Sequence, residues 1–173
     1  MAYVNGMAES KDYIISIGGY IRGDTHDTAN YYFAFICQFF HSGPIHLLLN
    51  MVGLYYVSIQ IKDKQSALKA FIAYILGIIL VGVGLLLFAE DDIFYLGNSG
   101  AICSLIGLWV FNGLYKEGKK AKEEIETLTL LIISSLMIPP ISFLMHMSGI
   151  IAGGVFLLFE ITFCRFKKSI FRS

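Results

Sequence analysis

Charge is scarce in this chain. Of 173 residues, 13 are Lys or Arg and 13 are Asp or Glu. That is 15% charged, against about 25% in a soluble domain. So low a share, with a mean hydropathy of +0.68, excludes a disordered tail and an ordinary water-soluble domain. With no basic excess, a nucleic-acid-binding module is excluded too. Cysteine is limited to Cys37, Cys103 and Cys164, too few and too scattered for a disulfide framework, so packing explains them better. Proline occurs only three times, and two of the three are adjacent, at Pro139-Pro140. Neither internal repeats nor low-complexity segments are present.

What remains is apolar, and the charges punctuate it. Four stretches contain no Asp, Glu, Lys or Arg: Thr28 to Ile61, Ala70 to Ala89, Ile93 to Tyr115 and Thr127 to Phe159. A membrane-spanning helix needs about 20 such residues. The fourth stretch is too long for one helix, and Pro139-Pro140 divides it, because proline removes a backbone donor and pushes its predecessor out of helical geometry. The expected fold is an all-α membrane protein, a polytopic bundle of about five transmembrane helices. A soluble helical core would need four buried helices with no polar face.

The basic residues sort by loop. Lys62, Lys64 and Lys69 follow the first span; Lys116, Lys119, Lys120 and Lys122 follow the third; Arg165, Lys167, Lys168 and Arg172 follow the last. Glu90, Asp91 and Asp92 follow the second. The positive-inside rule then puts the C-terminus in the cytoplasm and the N-terminus, the acidic loop and the prolines outside. Residues 1–30 read as a polar N-terminal segment, residues 31–164 as the transmembrane domain and residues 165–173 as a basic cytoplasmic tail. No signal-peptide pattern opens the chain. Simple basic loops without extra domains suggest a bacterial cell membrane.

Polar side chains inside spans are costly and mark functional sites. By this topology His41 and His46 enter from outside, Ser99 opens the third span from outside, and His146 lies early in the last span, again from outside. Four distant positions converge on one depth. His46 and Asn50, four apart, share a helical face, and both can donate hydrogen bonds. Ser99 sits in Gly97-Asn98-Ser99-Gly100 at a helix start, where unpartnered N–H groups favour a developing negative charge. Gly100, Ser104 and Gly107 form one small-residue strip, and His146, Gly149 and Gly153 another; such strips let membrane helices approach closely. Close approach would bring His146 within about 3 Å of the Ser99 hydroxyl, the reach of a general base.

Taken singly, these features have plainer explanations. A membrane serine commonly bonds the carbonyl one turn back, glycine strips commonly only pack, and a buried histidine commonly bridges helices. Their shared depth is what favours a site.

Together the motifs resemble the rhomboid family of intramembrane serine proteases. They are His41-Ser-Gly-Pro-Ile-His46-Leu-Leu-Leu-Asn50, then Gly97-Asn98-Ser99-Gly100, then His146-Met-Ser-Gly149-Ile-Ile-Ala-Gly153. The resemblance covers roughly Tyr31 to Glu160. It implies Ser99 as nucleophile and His146 as general base, without a third acidic member. His46, Asn50 and the Ser99 N–H would hold the oxyanion, with His41 at the site's mouth. Substrates would be transmembrane proteins cut near the outer ends of their helices within the lipid bilayer. No cofactor, metal or nucleic-acid partner is implied.

Three departures stand out. The family's minimal core has six spans, and the polar segment before Tyr31 resembles the loop between its first and second, so a first helix is expected to be missing. A Trp-Arg pair usual before span two is replaced by Tyr31-Tyr32-Phe33. The aromatic residue usual four positions after the serine is Cys103. A catalytically inactive relative that binds membrane helices is therefore the alternative. A haem protein using His46 and His146 as axial ligands is a further one. Two other intramembrane protease classes are excluded: no span carries an aspartate, and His-Glu-x-x-His is absent. A soluble hydrolase elbow fails because Ala101 follows Gly100.

Overall fold

A computed structural model describes residues 2–4, 7–9, 15–22, 29–60, 64–91, 93–118, 122–137 and 143–170. Among the described residues, two short antiparallel pairs accompany six α-helices of eight residues or more. Strands β1 (Ala2–Val4) and β2 (Met7–Glu9) form a small hairpin. Strand β3 (Tyr20–Ile21) pairs with β4 (Phe94–Tyr95), Tyr20 opposite Tyr95 and Ile21 opposite Phe94. The helices are α1 (Ala29–Ile36), α2 (Pro44–Ser58), α3 (Lys64–Phe88), α4 (Ser99–Glu117), α5 (Lys122–Met137) and α6 (Phe143–Ile170). The Pro139-Pro140 turn expected between the last two helices lies outside the described residues.

Among the described residues, two helical segments suffice to cross a membrane by length and apolarity alone, Ser66–Phe88 and Phe143–Lys167. A third qualifies if the bent pair Tyr31–Phe39 and Pro44–Ser58 counts as one span. The expectation of about five spans rested on charge-free runs, and the helices of the other two expected spans, α4 and α5, are more polar or shorter. Helix α4 carries Ser, Asn and three glycines between Ser99 and Gly113, because protein rather than lipid covers much of it. Helix α5 has only 16 residues.

The first charge-free run is not one straight helix. After α1 a 3-10 turn spans Cys37–Phe39, and the chain bends by 78° before α2. Gly43 precedes α2 and Pro44 occupies its first turn, where a missing N–H costs nothing. The bend exposes the Cys37 carbonyl, which accepts hydrogen bonds from Phe40 N (3.2 Å) and from Gly97 N (3.0 Å). A break in one element thus anchors the loop that leads into α4.

Helix α4 is the hub, packed against α2, α3, α5 and α6. Residues 101–107 are all buried. One apolar cluster lies toward the start of α4 and joins Ala34, Cys37, Val81, Leu85, Tyr95 and Met145. The other lies toward its end and joins Val57, Ala73, Leu105, Val110 and Phe156. Large apolar side chains also face outward, among them Leu49 and Tyr55 of α2, Phe71 and Leu87 of α3, and Leu158 and Phe163 of α6. So much outward apolar surface on backbone-satisfied helices suits lipid as the solvent.

Candidate functional site

The site is assembled at the N-terminus of α4. Asn98 is its N-cap residue, and the first helical bond runs from Ile102 N to Asn98 O (3.1 Å). The N–H groups of Ser99, Gly100 and Ala101 therefore have no acceptor within the helix. The Asn98 side chain does not cap; its amide donates to the Tyr74 hydroxyl of α3. Gly97 has φ +111°, and a Cβ there would lie 2.5 Å from His46 Cε1 and 2.7 Å from its Nε2. Only glycine fits that backbone and that ring together.

Helix α6 meets α4 through backbone. A Cβ on Gly100 would lie 3.0 Å from the Met145 carbonyl oxygen, and one on Gly107 would lie 2.6 Å from the Ile150 carbonyl oxygen. From the other side, a Cβ on Gly149 would overlap the Gly100 carbonyl and lie 3.0 Å from Cys103 Cβ, and one on Gly153 would overlap the Ser104 carbonyl. These four glycines allow backbone-to-backbone contact along two turns of each helix. Ser104, although in the same strip, points elsewhere. Its hydroxyl donates to Ala73 O of α3 (2.8 Å) and Ala101 O (2.7 Å), and Gly77 of α3 leaves room for it.

The contact sets neighbours beside neighbours: Gly100 follows Ser99, and Met145 precedes His146. His146 is buried at 5% exposure, and Ser99 is half-buried. The His146 and His46 rings lie within electrostatic reach of each other. His41 packs edge-on to His46, ring centres 5.1 Å apart, and its Nε2 is buried without a hydrogen-bond partner. Asn50, buried, donates one amide N–H to His46 O (2.9 Å). His41, His46, Gly97, Gly100 and His146 are thus gathered around the start of α4, with Asn50 one turn further along α2. Gly107 and Gly153 lie deeper in the same helix contact. Cys103 is buried against Gly149, one turn from His146.

Some participants were not expected. The Ser42 hydroxyl and His46 Nδ1 share a 3.1 Å hydrogen bond. Its i, i+4 spacing was a visible signal, although Ser42 precedes the helix. Arg22 donates to Ala89 O (2.6 Å) and lies 3.8 Å from Asp91. Glu90 N donates to the Tyr95 hydroxyl (3.0 Å). Together with the β3–β4 pair these contacts clasp the segment that leads from α3 into Ser99. Burial raises the phenol pKa of Tyr20 and of Tyr95, with the nearby Arg22 working against it in both cases. Among the described residues, no cluster of three His, Cys, Asp or Glu side chains could hold a metal ion.

A family profile described as "Rhomboid domain" matches residues 28–163. The chain belongs to the rhomboid family. Among curated proteins it is 26% identical over 122 residues to RHOMBOID-like protein 2 of Arabidopsis thaliana. That match covers 68% of this chain and 38% of the relative, so the chain spans well under half of that protein's length. No solved structure matches it at a significant level. Membership in the rhomboid family and the outward apolar helices make this an integral membrane protein. The relative is a plant protein, which lends no weight to the bacterial membrane expected from the loops.

Proposed function

We propose that this rhomboid-family chain is an intramembrane serine endopeptidase using Ser99 and His146. Ser99 Oγ attacks the scissile carbonyl carbon of a substrate's transmembrane segment while a His146 ring nitrogen takes the hydroxyl proton. The peptide C–N bond then breaks, and the histidine returns that proton to the departing amine. Water, deprotonated by the same histidine, attacks the acyl ester, and the histidine passes that proton to Ser99 Oγ as the ester C–O bond breaks. The oxyanion receives the Ser99 N–H and donors from His46 and Asn50. When the Ser42 hydroxyl donates to His46 Nδ1, the ring proton resides on Nε2, the tautomer an oxyanion donor needs. Asn50 has two amide N–H groups; one serves the His46 carbonyl, and the second is available to substrate. His41 flanks the mouth. The domain is residues 31–164, with the N-terminus outside and the basic tail in the cytoplasm.

The single observation that carries this reading is the α4–α6 contact, in which Gly100 abuts the Met145 carbonyl. One observation favours an inactive, helix-binding relative instead: Cys103, a small side chain, occupies the turn beside His146 where the family resemblance leads one to expect a ring.

Labelling with a fluorophosphonate probe separates the two readings. The folded protein should label, and Ser99→Ala and His146→Ala should each abolish labelling. Labelling that survives Ser99→Ala would mean another nucleophile. A folded wild type that never labels would favour the inactive reading.

A further inference from the structure

At the far end of α4 from Ser99, a cavity of about 480 Å³ opens between α2, α3, α4 and α6. Lys116 lies 17 residues after Ser99, so about 25 Å of helix separates the two ends. This is comparable to the hydrocarbon thickness of a bilayer. The lining changes character with depth. Val57, Leu105, Leu157 and Ile161 supply an apolar wall. Above them the lining carries three cations, Lys69, Lys116 and Arg165, and one anion, Glu160. Lys69 and Glu160 pair with each other across α3 and α6. Lys116 and Arg165 are then the surplus positive charge. Tyr115 and Cys164 are exposed on the rim, so the cavity is open rather than sealed. Tyr115, next to Lys116, lines it as well, and amphipathic rings of this kind settle at the depth of lipid head groups; Trp109 lines it about two turns deeper, beside the apolar wall.

We infer that this cavity binds the head group of an anionic phospholipid, with one acyl chain running down the apolar wall. The inference needs only a membrane-embedded chain and is independent of the roles proposed for Ser99 and His146. Two features select lipid over a free anion. A soluble phosphate would have no use for the apolar wall. The cations stand where the helices leave the apolar layer, which is where a lipid phosphate lies. The volume is in the range of small-ligand sites, enough for a head group, its glycerol and the first part of a chain. Lys116 and Arg165 meet the phosphodiester charge, and the Lys69–Glu160 pair closes the inner wall.

Trp109 is the chain's only tryptophan, so the cavity contains its own reporter. The full chain in mild detergent would be titrated with phosphatidylglycerol bearing brominated acyl chains, which quench tryptophan on contact. The same titration would be run with brominated phosphatidylcholine. Saturable quenching at least about tenfold more sensitive to the glycerol lipid is expected, and Lys116→Gln with Arg165→Gln should bring the two lipids level. Equal quenching by both lipids in the wild type would overturn the proposal, a result that depends on no variant folding. Loss of the preference on adding millimolar inorganic phosphate or glycerol phosphate would overturn it in favour of a free-anion site. Unchanged preference in a folded double variant would also overturn it, since the charges named would not be those that bind.

Discussion

Helices α6 and α2 reach the Ser99 loop from two directions and are built in opposite ways. Helix α6 touches α4 backbone to backbone, with Gly149 and Gly153 set into the carbonyls of Gly100 and Ser104. Helix α2 touches little. Its buried residues are Asn50 and Val57, while Leu48, Leu49 and Tyr55 face outward. It also follows a 78° bend, so its direction is not fixed by the element before it. The proposed nucleophile and base thus lie on the contact with the least freedom. The proposed oxyanion donors lie on a helix held by a few local bonds: Ser42 to His46, Asn50 to the His46 carbonyl, and the His46 ring on Gly97. A proton transfer over about 3 Å tolerates little misplacement, whereas a pair of donors can adjust to an incoming carbonyl.

The strongest way to break this contrast is to place a methyl group in the α4–α6 contact. Gly149→Ala would put a carbon onto the Gly100 carbonyl, and backbone on both sides leaves no flexible side chain to yield. The helices must separate. Overpacking of this kind costs about 1–3 kcal/mol, and a displacement of about 1 Å at the chemistry costs on the order of 100-fold in rate. Thermal unfolding in detergent should move down, and the fluorophosphonate labelling rate should drop by about that factor. An unchanged labelling rate would detach the proposed dyad from this contact.

A smaller effect is expected on the α2 side. Ser42→Ala removes the partner of His46 Nδ1 and nothing from the core. A hydrogen bond of this kind is worth about 0.5–1.5 kcal/mol, so labelling should slow by roughly 2- to 10-fold while the unfolding temperature stays put. Ser42→Thr, which keeps the hydroxyl, should restore most of the rate. If Ser42→Ala labels at the wild-type rate, His46 is oriented by something else.

Much of this arrangement is legible in the sequence because membrane helices announce themselves by charge-free length, and because His46 and Asn50, or Gly149 and Gly153, repeat at helical spacing. The bend is less visible. Thr28 to Ile61 is uncharged throughout, and hydropathy has no term for direction; only Gly43-Pro44 hints that a new helix begins there. The clasp made by Arg22, Tyr20 and Tyr95 is harder still, since two-residue strands carry no periodicity and their partners lie more than 70 positions apart. Ser104 shares the spacing of Gly100 and Gly107, yet its hydroxyl turns to α3, because a polar atom seeks an acceptor that a strip of small residues does not offer. The cavity at the other end arises from four helices at once, and no local pattern predicts it.

The gentlest test inverts the sign of the first. Gly53 is a glycine in the interior of α2, and a Cβ there would meet only Ile102 Cγ2, at an ordinary 3.6 Å. Alanine loses less backbone entropy than glycine when a helix forms, and nothing opposes it here. Gly53→Ala should therefore stabilise the protein by about 0.4–1 kcal/mol, through the unfolded chain more than through any new contact. Labelling should stay within about twofold of wild type, since α2 keeps its position and its bonds. The identical chemical change, glycine to alanine, is thus expected to damage one helix and to strengthen the other. Should Gly53→Ala lower stability as Gly149→Ala does, α2 would be packed as tightly as α6, and the difference between the two sides of the site would vanish.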